Sequence, residues 1–169
     1  SIGVGKSTAL CKIGEKSEGK TLILDVDRTS QNALLLLPNA DELKKKIFFY
    51  EIDNIHTFKH WTDTLFELDE MYKKGELDFE NICVDNISEL ERCILSDLGS
   101  QGKNKVVPAQ ADYQYMQFKL VNSLRFMKQW KKNVYWTAWE TVEQFQNPDG
   151  SYSVISVNIA GALLADYVL

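Results

Sequence analysis

The chain opens as Ser1-Ile2-Gly3-Val4-Gly5-Lys6-Ser7-Thr8. The spacing from Gly3 to Ser7, G-x-G-K-S, is that of a backbone loop wrapped around phosphate. Glycines let the chain curl so that its N–H groups point inward at anionic oxygens. A helix starting at the end of such a loop adds the positive end of its dipole. The Lys6 ammonium is then placed to neutralise the β and γ phosphates of a nucleotide, and the Ser7 hydroxyl to bind Mg²⁺. Thr8 falls near the α phosphate. The predicted nucleotide-binding set is Gly3, Val4, Gly5, Lys6, Ser7 and Thr8.

Three carboxylates complete the candidate chemistry. The apolar run Asn81-Ile82-Cys83-Val84 ends in Asp85. An acid at the C-terminal end of a buried strand faces the crevice of an open α/β sheet, where it can hold a Mg²⁺ shell together with Ser7. Asp25 and Asp27 end another apolar run, Thr21-Leu22-Ile23-Leu24. One of them, Asp27 first and Asp25 as substitute, is read as orienting an attacking water; capping or surface solvation is the plainer alternative. The predicted catalytic set is Lys6, Asp25, Asp27 and Asp85, with Ser7 and Asp85 as the metal ligands and ATP and Mg²⁺ as cofactors. Thr137, Trp139 and Glu140 follow a further apolar run and are candidates for sensing the γ phosphate. Trp136 and Trp139 serve equally well as core.

These residues need elements to hold them. Ala9, Leu10 and Ile13 share one face of a helix from Lys6 to about Glu15. Strands are expected at residues 21–27, 47–52, 81–85 and 134–138. Helices are expected through Phe58, Trp61, Leu65, Leu68 and Tyr72, stopped by Gly75; after Ser88, which forms a capping box with Glu91, stopped by Gly99; and through Tyr113, Met116, Leu120, Leu124 and Met127. Asn147-Pro148-Asp149-Gly150 is a hairpin turn between runs at 142–145 and 152–157. Strands alternating with helices predict an α/β, three-layer domain with a mostly parallel sheet and a C-terminal β-hairpin. No strand precedes the loop, and the motif's first glycine falls one residue before Ser1. A fragment lacking its first strand is therefore expected, and the end at Leu169 is equally abrupt.

At 169 residues the chain suits one domain spanning 1–169, and a net charge of −5 argues against coating duplex DNA by bulk charge. The three cysteines, Cys11, Cys83 and Cys93, lack ligand spacing and read as buried free thiols. No apolar run approaches the roughly 20 residues of a membrane span, and no signal peptide is present, so a cytoplasmic protein without membrane partners is the default.

The order of loop, D-x-D strand, strand, Asp85 strand and final strand resembles the phage-encoded RecA-like P-loop ATPases known as phage nucleotide-binding proteins, which are associated with single-strand annealing recombination. The run Asn133-Val134-Tyr135-Trp136-Thr137-Ala138-Trp139-Glu140 and the Asn158-Ile159-Ala160-Gly161 stretch add to the likeness, which covers nearly the whole chain. It implies an ATP hydrolase, in host cytoplasm if phage-encoded, assembled as a ring or filament and acting on single-stranded DNA. It also implies a catalytic acid two residues after an Asp, which Asp27 matches. Trp139 departs from the pattern, since such families place Gln or His there. The implied DNA loops are Ser100–Gln110, with Lys103 and Lys105, and Gln146–Asn158, with Tyr152; basic and aromatic groups together suit single strands. Arg28 is a candidate for reaching a neighbouring subunit's phosphate. Lys44–Lys46 and Lys128–Lys132 read as solvated helix faces. Partition-type ATPases share the D-x-D strand, but their signature lysine is absent at Ser1. Small-molecule kinases need lid arginines, and Arg28, Arg92 and Arg125 are not spaced as a lid. A nucleotide-gated binding module with little turnover is the non-enzymatic alternative.

Overall fold

Short apolar runs alternate along the chain with stretches of 3.6-residue apolar period, and a chain of that kind buries its strands between helices. A computed structural model describes residues 5–102, 107–139, 141–146, 148–150 and 152–158. Helix α1 (Lys6–Lys16) leads to strand β1 (Thr21–Asp25), then α2 (Ser30–Leu35), α3 (Ala40–Leu43) and β2 (Ile47–Glu51). Helix α4 (Thr57–Lys73), β3 (Asn81–Asp85), α5 (Ile87–Gln101), α6 (Gln110–Met127) and β4 (Asn133–Trp136) follow. Strands β5 (Thr141–Gln146) and β6 (Tyr152–Asn158) pair as an antiparallel hairpin, and Gly150 takes φ +82° in its turn.

The main sheet has the order β2-β1-β3-β4, and every pairing is parallel. All four C-terminal ends therefore lie along one edge, and the register sets Asp25 directly beside Asp85. Parallel strands covered on both faces are apolar throughout rather than alternating, and β1 and β3 are buried at every position.

Alternate side chains serve two cores. Leu22, Leu24, Ile82 and Val84 join Trp61 and Leu65 of α4, Leu90 and Ile94 of α5, and Met116, Leu120 and Leu124 of α6. Ile23 and Cys83 point the other way, into a smaller core with Leu10 and Cys11 of α1, Ala33 and Leu34 of α2, and Leu43 of α3. This is the expected three-layer α/β arrangement. All three cysteines are buried and free, and burial pushes the Cys11 and Cys93 thiols up to about 11 and the Cys83 thiol up to about 12. Among the described residues no helix is long and apolar enough to cross a membrane.

The elements depart from the sequence reading in four places. Helices α2 and α3 went unread, because the Leu34-Leu35-Leu36-Leu37 run before Pro38 carries no clear period. The cap of α5 is Asn86 rather than Ser88: the Asn86 side chain accepts from Glu89 N, and the helix starts before Ser88, which is buried within it. Gly99 does not stop α5, which runs on to Gln101. A Cβ at Gly99 would stand 3.1 Å from the Pro108 ring, so glycine serves close packing there. Finally, β1 ends at Asp25, β2 at Glu51 and β4 at Trp136, leaving Asp27, Ile52 and Thr137 just beyond the strands.

Leu120 is 1% exposed in the larger core. Leu120→Ala is expected to cost about 2–5 kcal/mol in urea unfolding, through lost burial and the cavity left behind; a loss below about 0.5 kcal/mol, the range of a surface substitution, would contradict this packing.

Candidate functional site

Gly5 caps α1 in the left-handed region, with φ +78° and ψ 22°. A side chain would be strained in that conformation, and nothing stands within 4 Å of where a Cβ would be built. The bend turns the start of α1 toward the C-terminal edge of the sheet. Ser7, in the first turn, donates to Asp85 Oδ2 at 2.5 Å across 78 residues of sequence. Asp85 is 0% exposed. A carboxylate buried that fully must be satisfied by donors, and three hydroxyls supply them: Ser7, Ser30 Oγ to Oδ2 at 2.8 Å, and Thr137 Oγ1 to Oδ1 at 2.6 Å. The three come from the starts of α1 and α2 and from the end of β4.

Asp25 lies beside this cluster. Its Oδ2 accepts the Ser30 backbone N–H at 3.0 Å, while its buried Oδ1 has no hydrogen-bond partner among the described residues. Burial raises the Asp25 carboxyl above the usual range; the Asp85 charge adds to this, and the Ser30 amide and hydroxyl oppose it.

Asp27 stands differently. Its backbone N–H reaches Asp85 O at 3.3 Å, and its carboxylate accepts the Asn86 amide N–H. Burial first, then the Asp85 and Glu89 charges, push the Asp27 carboxyl up to about 6. Arg28 follows in the left-handed region with φ +57°, and its side chain pairs at 3.9 Å with Glu51. Both partners are about half exposed, so the pair contributes little.

A cavity of about 510 Å³ opens between these groups. Gly5, Lys6, Ser7 and Thr8 form one wall, and Asp27, Thr29, Asn32, Leu36 and Trp139 the others. Trp139 is held in place from α5: its backbone N–H donates to Ser88 Oγ at 2.9 Å, and the Arg92 guanidinium lies 5.1 Å from its ring centre. A more apolar groove of about 190 Å³ between α4 and α6 shares no residue with this cavity.

Residues 1–165 match the model of the AAA domain family. The chain belongs to that family. No curated protein matches it. The family is one of nucleotide-binding ATPases, and in this AAA domain the cavity lies between Gly5, Lys6 and Ser7 at the start of α1 and Asp27 just beyond β1.

The residues read from sequence divide accordingly. Gly5, Lys6, Ser7, Thr8 and Asp27 line the AAA domain's cavity, and Asp85 bonds Ser7 from beneath it. Asp25 adjoins Asp85 in the register but does not line the cavity. Thr137 is tied to Asp85, and Trp139 is a wall rather than core. Trp136 packs partly buried against the larger core. Gly3, Val4, Lys103, Lys105, Glu140 and Gly161 lie outside the described residues, as does the side chain of Tyr152.

Sequence reasoning missed Ser30 and Asn86, and read Ser88 as a helix cap rather than as the partner of Trp139. Ser30 opens a six-residue helix too short for a periodic signal. Asn86 carried one, an Asn three residues ahead of Glu89 at a helix start.

The donor set suits a hard divalent cation, since Ser7 and Asp85 offer oxygen. Among the described residues no cluster of three or more His, Cys, Asp and Glu side chains could hold a metal ion, so a cation here would draw further oxygens from phosphate and water.

The raised Asp27 carboxyl has a consequence for stability. A group that binds its proton more tightly when folded favours the folded state in acid and disfavours it as pH rises through about 6. Asp27→Asn keeps an acceptor for Asn86 and removes that charge. Without nucleotide, it is expected to raise the unfolding temperature at mildly alkaline pH. The gain should shrink through about pH 6 and vanish below about 4. Calorimetric scans across that range check it; a wild type more stable than the variant at alkaline pH would contradict it.

Proposed function

We propose that the chain binds ATP with Mg²⁺ at the Gly3–Thr8 loop and hydrolyses it. The observation that carries this reading is the 2.5 Å hydrogen bond from Ser7 to Asp85. It joins the hydroxyl just after the loop lysine to the carboxylate ending β3, the two protein ligands a Mg-nucleotide site requires.

In this mechanism the loop N–H groups and the α1 dipole bind the terminal phosphates. Lys6 neutralises charge as it develops on the γ phosphoryl group. Ser7 and Asp85 would hold the cation, which would supply Lewis-acid stabilisation of phosphate charge. Asp27 accepts a hydrogen bond from the attacking water, and a carboxyl pushed up to about 6 is a base matched to neutral pH. Thr137 and Ser30 keep Asp85 fixed while the phosphate leaves. Little covalent chemistry is asked of the protein, so positioning and electrostatics do most of the work.

Lys6→Ala is expected to lower phosphate release from full-length protein by about 100-fold or more, on the scale of losing one preorganised charge contact in a transition state. Turnover within about threefold of wild type would mean that the chemistry lies elsewhere.

The RecA-like resemblance extends the proposal to single-stranded DNA, to phage recombination or replication, and to a ring or filament in the cytoplasm. Lys103 and Lys105 are then the strand contacts. Changing both to Glu is expected to weaken ATP-dependent single-strand binding and to flatten its salt dependence. A fluorescence titration with unchanged affinity removes those lysines from the reading.

A further inference from the structure

Asn86 follows Asp85 at the end of β3 and is 0% exposed. Its side chain makes two bonds in opposite directions. Oδ1 accepts the Glu89 backbone N–H at 2.8 Å, capping α5. A backbone N–H only donates, so that bond fixes the carbonyl end of the amide. The NH₂ end must then face the other way, and there it meets Asp27 Oδ2.

The cap therefore decides what Asp27 meets. Asp27 has acids around it: Asp85, Glu89 and Asp25 all bear on its carboxyl. A carboxylate pressed by three others turns away unless a donor holds it, and Asn86 is that donor. The backbone acts in the same sense, because Val26 N and Asp27 N both bond to Asp85 O, at 2.7 and 3.3 Å. The Asp85-Asn86 pair thus grips Asp27 at main chain and side chain together. The same turn of α5 carries Ser88, which holds the Trp139 N–H on another wall of the cavity.

We propose that Asn86 is a positioning residue: its amide, locked by the α5 cap, aims the Asp27 carboxylate into the nucleotide cavity. This rests on the reading that Asp27 orients the attacking water. Asn86 itself touches neither phosphate nor water in that role.

Substitutions separate capping from aiming. Asn86→Ser and Asn86→Asp both keep an N-cap acceptor, but Ser cannot reach Asp27 with a donor and Asp presents it with an acceptor. In full-length protein with ATP and Mg²⁺, Asn86→Ser is expected to unfold within a few degrees of wild type, and Asn86→Asp, which buries a further acid against Asp27, to unfold at a lower temperature. Their kcat should fall about 10- to 100-fold, as for a reacting group misplaced by an ångström, with KM within about threefold. The paired exchange Asp27→Asn with Asn86→Asp rebuilds the hydrogen bond in reverse and should restore the unfolding temperature without restoring kcat. A readout independent of turnover is the Asn86 side-chain amide resonance in ¹⁵N spectra, which should shift in Asp27→Ala.

Asn86→Ser with wild-type kcat, beside an inactive Asp27→Ala, overturns this proposal alone. An unshifted Asn86 amide resonance in Asp27→Ala overturns it as well. Wild-type turnover in Asp27→Ala overturns the hydrolytic reading of Asp27, and the positioning role falls with it.

Discussion

One buried carboxylate organises this protein. Asp85 is wholly enclosed, and its two oxygens are held by hydroxyls from Ser7, Ser30 and Thr137. A charge of that kind is expensive to bury and becomes tolerable only when donors surround it. The donors here come from three separate elements, so satisfying Asp85 also docks α1, α2 and the end of β4 against β3. The start of α1, with Gly5 and Ser7, is thereby held at the strand ends, where a parallel sheet leaves its crevice.

The cost of that arrangement is visible next door. Parallel register puts Asp25 beside Asp85, and the chain just beyond β1 brings in Asp27. Both carboxyls are pushed above their usual range, chiefly by burial. Among the described residues one Asp25 oxygen has no hydrogen-bond partner. A set of acids held this close destabilises the fold, and such strain is commonly kept where a bound cation or a reaction uses it. The acids differ in placement: Asp85 accepts from Ser7 in the first turn of α1, Asp25 lies beside Asp85 in the sheet register, and Asp27 is on the cavity wall.

Much of this was legible in the sequence, for physical reasons. Strand β3 was read with its observed bounds, because four buried positions before an acid leave few alternatives. The loop and Asp85 could be paired because each needs the other. Long helices such as α4 and α6 announced themselves by period. What escaped were features without period or length. Helix α2 has only six residues, so Ser30, which bridges Asp25 and Asp85, could not be foreseen. Asn86 was passed over in favour of Ser88, whose capping-box spacing to Glu91 fits the rule as well as Asn86 to Glu89 does; only the position of the strand end decides between them. Trp139 was ambiguous for a similar reason, since its place on the cavity wall depends on bonds to Ser88 and Arg92 from α5.

The proposed chemistry requires Asp85 to serve as a cation ligand beside Ser7 at the start of α1. The most direct measurement is titration calorimetry of ATP into full-length wild type and Asp85→Asn, each with Mg²⁺ and with chelator. Wild type should bind more tightly with Mg²⁺, by about tenfold or more, the size expected for a lost contact at a metal site. Asp85→Asn should lose that gain while keeping its metal-free affinity. An equal Mg²⁺ gain in both proteins, or no ATP binding by wild type, would contradict the account.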